Sequence, residues 1–269
     1  MPIINLAHHH LYYETFGDPV SPPLLIVSGL TDYIAKCAWQ TRVLSHDFYV
    51  ITFDNRGAGR SSISDFEYTV ADLAVDAAAV LDALDIPVVD VFGFSLGGMI
   101  ALHLTLNNPS RVRRLVLGCT SAGGTLAVLP EREVLLSLAR SSRSGDRRQD
   151  FLAGMWVSVS DKCVREQPTI INALADIAEA NPQTPESRMA QLRAVFSHDV
   201  SDRLHEINIP ALVMHGTEDR LIPPANGENL ASHIAGARLI LYPEAGHLFF
   251  IEKASEVNRD TRAFLLEKG

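Results

Sequence analysis

Short apolar runs alternating with amphipathic stretches set the rhythm of the first half of this chain. Leu24-Leu25-Ile26-Val27, Tyr49-Val50-Ile51-Thr52-Phe53 and residues 88–92 and 112–117 are nearly continuous apolar runs of strand length. Such runs suit strands buried on both faces. The N-terminal segment also reads as strands: Leu11-Tyr12-Tyr13-Glu14-Thr15-Phe16 is rich in aromatic and β-favouring residues, and Gly17-Asp18-Pro19 ends it as a turn. Helices are expected over 38–44, 70–84 and 95–106. In the second, Val70, Leu73, Ala74, Ala77, Val80, Leu81 and Leu84 recur at steps of three and four. Thr69 is placed to cap it, Asp72 falls in its first turn, and Ile86-Pro87 stops it. Strand alternating with helix predicts a parallel sheet with helices on both faces.

The rhythm breaks after residue 120. From 121 to 204 no strand pattern is evident, and helices are expected over 131–139, 170–179 and 186–196, the last with Thr184 as cap and Pro185 in its first turn. Pro168, Pro182 and a polar run at 141–149 punctuate the rest. The alternation resumes with strands at 211–215 and 238–242 and a closing helix at 254–266. The expected organisation is therefore a core domain of residues 1–120 and 205–269, interrupted by a helical cap at 121–204.

Composition narrows the setting. The chain has 269 residues, 47% of them hydrophobic and 20% charged, with a formal net charge of −9. That balance suits a soluble globular protein, and the negative charge argues against nucleic acid and anionic membrane as partners. Cys37, Cys119 and Cys163 are odd in number and widely spaced, which suggests neither a disulfide framework nor a zinc ribbon. The N-terminus has no basic segment followed by an apolar run, so no signal peptide is expected. Together these features point to a cytoplasmic protein with a small-molecule substrate; a homodimer stays open.

The chemistry begins at Gly93-Phe94-Ser95-Leu96-Gly97-Gly98. This is a G-x-S-x-G nucleophile elbow between an expected strand and an expected helix, the context that motif requires. The turn is tight, so glycines are needed where neighbouring backbone passes close. A serine hydroxyl is a weak nucleophile at neutral pH and needs a base, which in turn needs an orienting carboxylate. Two downstream segments qualify. His215-Gly216-Thr217-Glu218-Asp219 follows a strand, and Ala245-Gly246-His247 lies just past the last one.

These motifs resemble, in order, those of the α/β-hydrolase superfamily in its cap-bearing branch, over nearly the whole chain. Asp54-Asn55-Arg56-Gly57-Ala58-Gly59-Arg60-Ser61 is similar to the family's D-x-R-G-x-G-x-S loop, Gly216-Thr217-Glu218-Asp219 to its G-x-x-D acid loop and Gly246-His247 to its G-H turn. The resemblance implies an α/β fold with a mostly parallel, eight-stranded sheet. It implies Ser95 as nucleophile, Asp219 rather than Glu218 as acid, and His247 as base. It also implies backbone N–H groups of Leu30 and Leu96 as oxyanion donors, Gly29 beside the substrate, and no metal or organic cofactor. Where many members carry His-Gly, this chain has Ser28-Gly29, which resembles enol-lactonase-like members and favours a small to medium ester or lactone.

Other residues invite different readings. His8-His9-His10 could suggest a metal, although solvent-exposed edge-strand histidines are the plainer account. His103 is expected to pack on its helix. His198 and His205 flank the cap and could approach the pocket. Asp54 and Arg56 are expected to hold their own loop together, and Cys119 to be a small buried residue. Phe151, Met155, Trp156, Met189 and Phe196 could line an apolar pocket or merely pack the cap; Trp156 is the one assigned to substrate. Two alternatives survive: carbon–carbon bond hydrolysis or lyase chemistry on the same triad, and a binding or receptor protein that kept the fold and lost turnover. A dehalogenase would carry Asp, not Ser, at the elbow.

Overall fold

The computed structural model describes residues 2–63, 66–139, 146–181 and 183–267. Residues 64–65, 140–145 and 182 lie outside them, and with them Pro182 and residues 141–145 of the polar run. The described strands are β1 (Ile3–Asn5), β2 (His10–Phe16), β3 (Pro23–Val27), β4 (Tyr49–Phe53), β5 (Val89–Phe94), β6 (Val112–Gly118), β7 (Ala211–Gly216) and β8 (Arg238–Tyr242). They form an eight-stranded sheet in the order β1-β2-β4-β3-β5-β6-β7-β8. β1 and β2 pair antiparallel, as do β2 and β4, whereas every pairing from β4 to β8 is parallel.

Both faces of the sheet are covered, and the two-residue period of the strands divides the core accordingly. Leu25, Val27, Ile51 and Phe53 pack with Leu73, Ala77 and Leu81 of α2 (Val70–Ala83) and Ile100 of α3 (Leu96–Asn107). Leu24, Ile26, Val50, Phe92 and Phe94 face the other way, into a cluster with Leu44, Phe249 and Phe264. Leu44 belongs to α1 (Ala38–Leu44). Thr69 and Asp72 form the expected cap of α2 as a reciprocal capping box.

Between β6 and β7 the described chain is helical. It contains α4 (Arg132–Ala139), α5 (Arg147–Gly154), α6 (Asp161–Glu166), α7 (Pro168–Ala180) and α8 (Pro185–Phe196). Thr184 caps α8 by accepting from Ser187 N–H, with Pro185 in the first turn. α5 begins inside the polar run, where Asp146 accepts from Gln149 N–H, and Ser160 caps α6 in the same way toward Cys163. Neither helix has an apolar stripe, so periodicity does not reveal them. The same applies to α9 (Ala225–His233), whose described buried residues are Asn226, Gly227 and Leu230, and to α10 (Phe249–Glu252), which is buried all round. α11 (Ala254–Leu265) closes the fold. Among the described residues no helix is long and apolar enough to cross a membrane.

Candidate active site

The site collects at the C-terminal ends of the parallel strands. Ser95 joins β5 to α3 with φ 54 and ψ −120, a conformation strained for a residue with a side chain. A Cβ on Gly93 would run into the carbonyl of Gly97, and a Cβ on Gly97 into that of Val27. The two glycines of the motif are therefore demanded by backbone packing on either side of the serine. Ser95 N–H donates to Gly118 O at 2.8 Å, and the Thr120 hydroxyl donates to Ser95 O at 2.8 Å, which fixes the turn against β6.

Asp219 follows β7 and His247 follows β8. His247 Nδ1 lies 2.8 Å from Asp219 Oδ2. The other carboxylate oxygen, Oδ1, accepts from Leu221 N–H and Ile222 N–H, each at 2.9 Å. A second histidine, His215, places Nε2 3.1 Å from the same Oδ2. Asp219 is 4% exposed, so burial alone would raise its pKa; the His247 charge and the hydrogen bonds from His215 and His247 outweigh burial and hold it down at about 2. The carboxylate is thus ionised and immobilised beside the imidazole. Glu218 is not part of this contact.

Ser95, His247, Leu30 and Trp156 all line one cavity of about 710 Å³. Leu30 follows β3 on a loop that is tied down at several points. Ser28 O accepts from Asn55 Nδ2 at 3.1 Å, and Thr31 N–H donates to Gln191 Oε1 of α8 at 2.8 Å. Gly29 abuts the nucleophile: an added Cβ would lie 3.4 Å from Ser95 Cβ. Leu96 is the first residue of α3, where backbone N–H groups have no partner within the helix. An ion pair between Lys36 and Asp32 also borders the cavity.

The turn carrying His247 is clamped from two directions. Buried Glu252 of α10 accepts from Gly246 N–H at 2.9 Å and from the Ser160 hydroxyl at 2.6 Å. Leu248 N–H donates to Ser158 O at 2.8 Å. Arg220, next to the acid, reaches Trp156 O at 2.7 Å and Asp161 at 3.0 Å. Residues 156–161 are therefore fastened to both the acid loop and the histidine turn.

The remaining sequence candidates separate clearly. Of the five apolar residues singled out between β6 and β7, Phe151, Met155 and Trp156 line the cavity, whereas Met189 and Phe196 do not and are exposed. α8 turns its polar face inward, with Ser187 and Gln191 bonded to the carbonyls of Gly57 and Arg56, which leaves those two apolar side chains outside. His198 and His205 do not reach the cavity either. His198 bonds to His103 and Ser121 O, and burial pushes it down to about 4; His205 is exposed. Asp54 accepts from Arg60 N–H and so holds its own loop as expected, and it also accepts from Ile34 N–H, whereas Arg56 pairs with Asp76 and fastens the loop to α2. In the histidine run, His9 meets Asp76, His10 meets Arg60 O and the His8 ring packs on Phe66. Cys119 is fully buried, and burial drives its thiol well up. Sequence reasoning missed the roles of His215 and Glu252. The first sits in the quoted acid loop and could have been found there; the second carries no local signal.

A family described as alpha/beta hydrolase fold matches residues 22–254. The chain belongs to that family. Within it, this α/β-hydrolase is 29% identical over 259 residues to a Variovorax paradoxus (strain S110) protein provisionally named carbamate hydrolase RutD, covering 95% of this chain and 96% of that one. It is 27% identical over 263 residues to 3-oxoadipate enol-lactonase 2 of Acinetobacter baylyi, covering 95% and 92%. The solved enol-lactonase of Burkholderia xenovorans LB400 superposes with a TM-score of 0.87 at 26% identity, over 99% of this chain and all of that one (100%).

Proposed function

We propose that this α/β-hydrolase is a serine hydrolase that cleaves a small to medium carboxylic ester or lactone through an acyl-enzyme on Ser95. The observation that carries the reading is the strained Ser95 turn sharing one cavity with His247, whose Nδ1 is bonded to buried, ionised Asp219. His247 takes the proton of Ser95 as the hydroxyl attacks the carbonyl. The backbone N–H groups of Leu30 and Leu96 receive the oxyanion. His247 then returns the proton to the leaving alkoxide, and water, deprotonated by the same imidazole, releases the acid. Asp219 keeps the imidazole oriented and offsets its charge. No metal or organic cofactor enters this scheme.

In this reading residues 121–204 are the cap and Trp156 borders the acyl group, while Gly29 lets the carbonyl approach Ser95 closely. The relatives named as enol-lactonases support the lactone side of the substrate class. The test is hydrolysis of p-nitrophenyl esters of graded acyl length and of simple lactones, wild type beside Ser95→Ala. The expected result is wild-type turnover that falls at least about a thousandfold in the variant. Turnover that survives the substitution would rule out Ser95 as nucleophile, and a folded wild type that reacts only with a diketone would move the assignment to carbon–carbon bond cleavage.

A further inference from the structure

His215 is the penultimate residue of β7, fully buried, and the serine mechanism as written does not use it. Its Nε2 faces two groups that can only accept: Ile222 O at 2.8 Å and Asp219 Oδ2 at 3.1 Å. The proton must therefore sit on Nε2 and be shared between them. The opposite nitrogen, Nδ1, is buried without a partner, and a Cβ built on Gly227 of α9 would lie 2.7 Å from it. A proton on Nδ1 would leave a buried, unsatisfied donor, so packing selects the same tautomer that the acceptors require.

We propose that His215 is a positioning residue for the triad, a second imidazole that fixes Oδ2 of Asp219 and takes up part of its charge. This inference rests on the serine-hydrolase reading. Asp219 is on a loop, but its Oδ1 is held by two backbone N–H groups and its Oδ2 by two imidazole N–H groups. With all four bonds made, the carboxylate cannot rotate away from His247. Because His215 belongs to the sheet, it also anchors Ile222 O, and hence the acid loop, to β7. The share of Oδ2 charge drawn by His215 is withheld from His247. The other ionisable groups near this centre among the described residues do not compete for Oδ2: the Cys119 thiol is driven up by burial, Arg220 points to Trp156 O and Asp161, and Glu252 holds Gly246 and Ser160.

The test compares His215→Leu, which removes the donor, with His215→Gln, whose amide nitrogen can stand where Nε2 was. For His215→Leu, kcat should fall about tenfold to a hundredfold with KM little changed, because a misoriented base slows the chemical step. The acidic limb of kcat/KM should move up, because the whole charge of Oδ2 then faces the imidazole of His247. His215→Gln should recover most of both effects. Nitrogen-15 spectra of the full wild-type chain should show His215 protonated on Nε2 and bare on Nδ1 at neutral pH. A proton on Nδ1 would overturn the inference, as would a folded Leu variant with wild-type kcat and acidic limb, or a Gln variant that behaves like Leu. If no ester in the panel reacts, the rate of Ser95 labelling by a fluorophosphonate is read against pH in place of kcat. A wild type that neither hydrolyses nor labels overturns the hydrolase reading and the positioning role with it. A reactive wild type with an indifferent Leu variant overturns the positioning role alone.

Discussion

Asp219 links the chemistry of the site to the stability of the fold. A carboxyl held at about 2 in the folded protein has an unfolded value of about 3.9. A group lowered on folding contributes stability above its unfolded pKa and loses it as pH falls through the folded one. Over the window from about pH 4 down to about pH 2 this residue should therefore withdraw about 2 kcal/mol. Chemical denaturation across that window checks it: Asp219→Asn should lose stability less steeply with acid than wild type, and parallel curves would refute the assignment. Ser95, Asp219 and His247 could each be singled out in the chain because each holds a fixed place in a short motif of its own. His215 was legible only as part of a motif, since nothing in linear order says which acceptor its ring will meet.

Among the elements, the short α10 shows how a segment without periodicity can govern a site. Its Glu252 joins the Gly246 turn to Ser160, so one carboxylate spaces the histidine from the helical segment above it. Glu252→Ala would strand three donors in a buried place and should lower stability by about 2–3 kcal/mol. Activity should fall as well, because the His247 turn loses its support. A denaturant midpoint unchanged from wild type would show that the clamp carries no load. Long amphipathic helices such as α2 announce themselves by a stripe and a cap. α5, α6 and α9 do not: α5 and α6 start on the side-chain caps of Asp146 and Ser160, and α9 buries only Asn226, Gly227 and Leu230, so none of them shows an apolar stripe.

At the scale of the whole molecule, the cavity lies between the C-terminal ends of the strands and the helical segment, and Phe151, Met155 and Trp156 form part of its wall. A volume of about 710 Å³ falls in the range that encloses most of a small ligand. Trp156→Ala should enlarge it and shift the preferred acyl chain to longer esters, seen as a drop in KM for long chains relative to short ones. An unaltered chain-length profile would remove Trp156 from the acyl pocket. α8 presents the opposite case: its polar face is bonded to the Asp54 loop and the Leu30 loop, so it braces the site while Met189 and Phe196 stay outside.

By itself the sequence determined the alternation of strand and helix, the bounds of most strands and the glycine-flanked serine turn. These are local properties, set by the period of apolar positions and by turns that tolerate few residue types. Only the tertiary structure decided which apolar side chains of the helical segment line the cavity, that one oxygen of Asp219 serves two histidines, and that Glu252 fastens the His247 turn. Those contacts join residues between 4 and 92 positions apart along the chain. Their partners are selected by burial and by the need to satisfy every buried polar group, and both are properties of the folded molecule rather than of any segment of it.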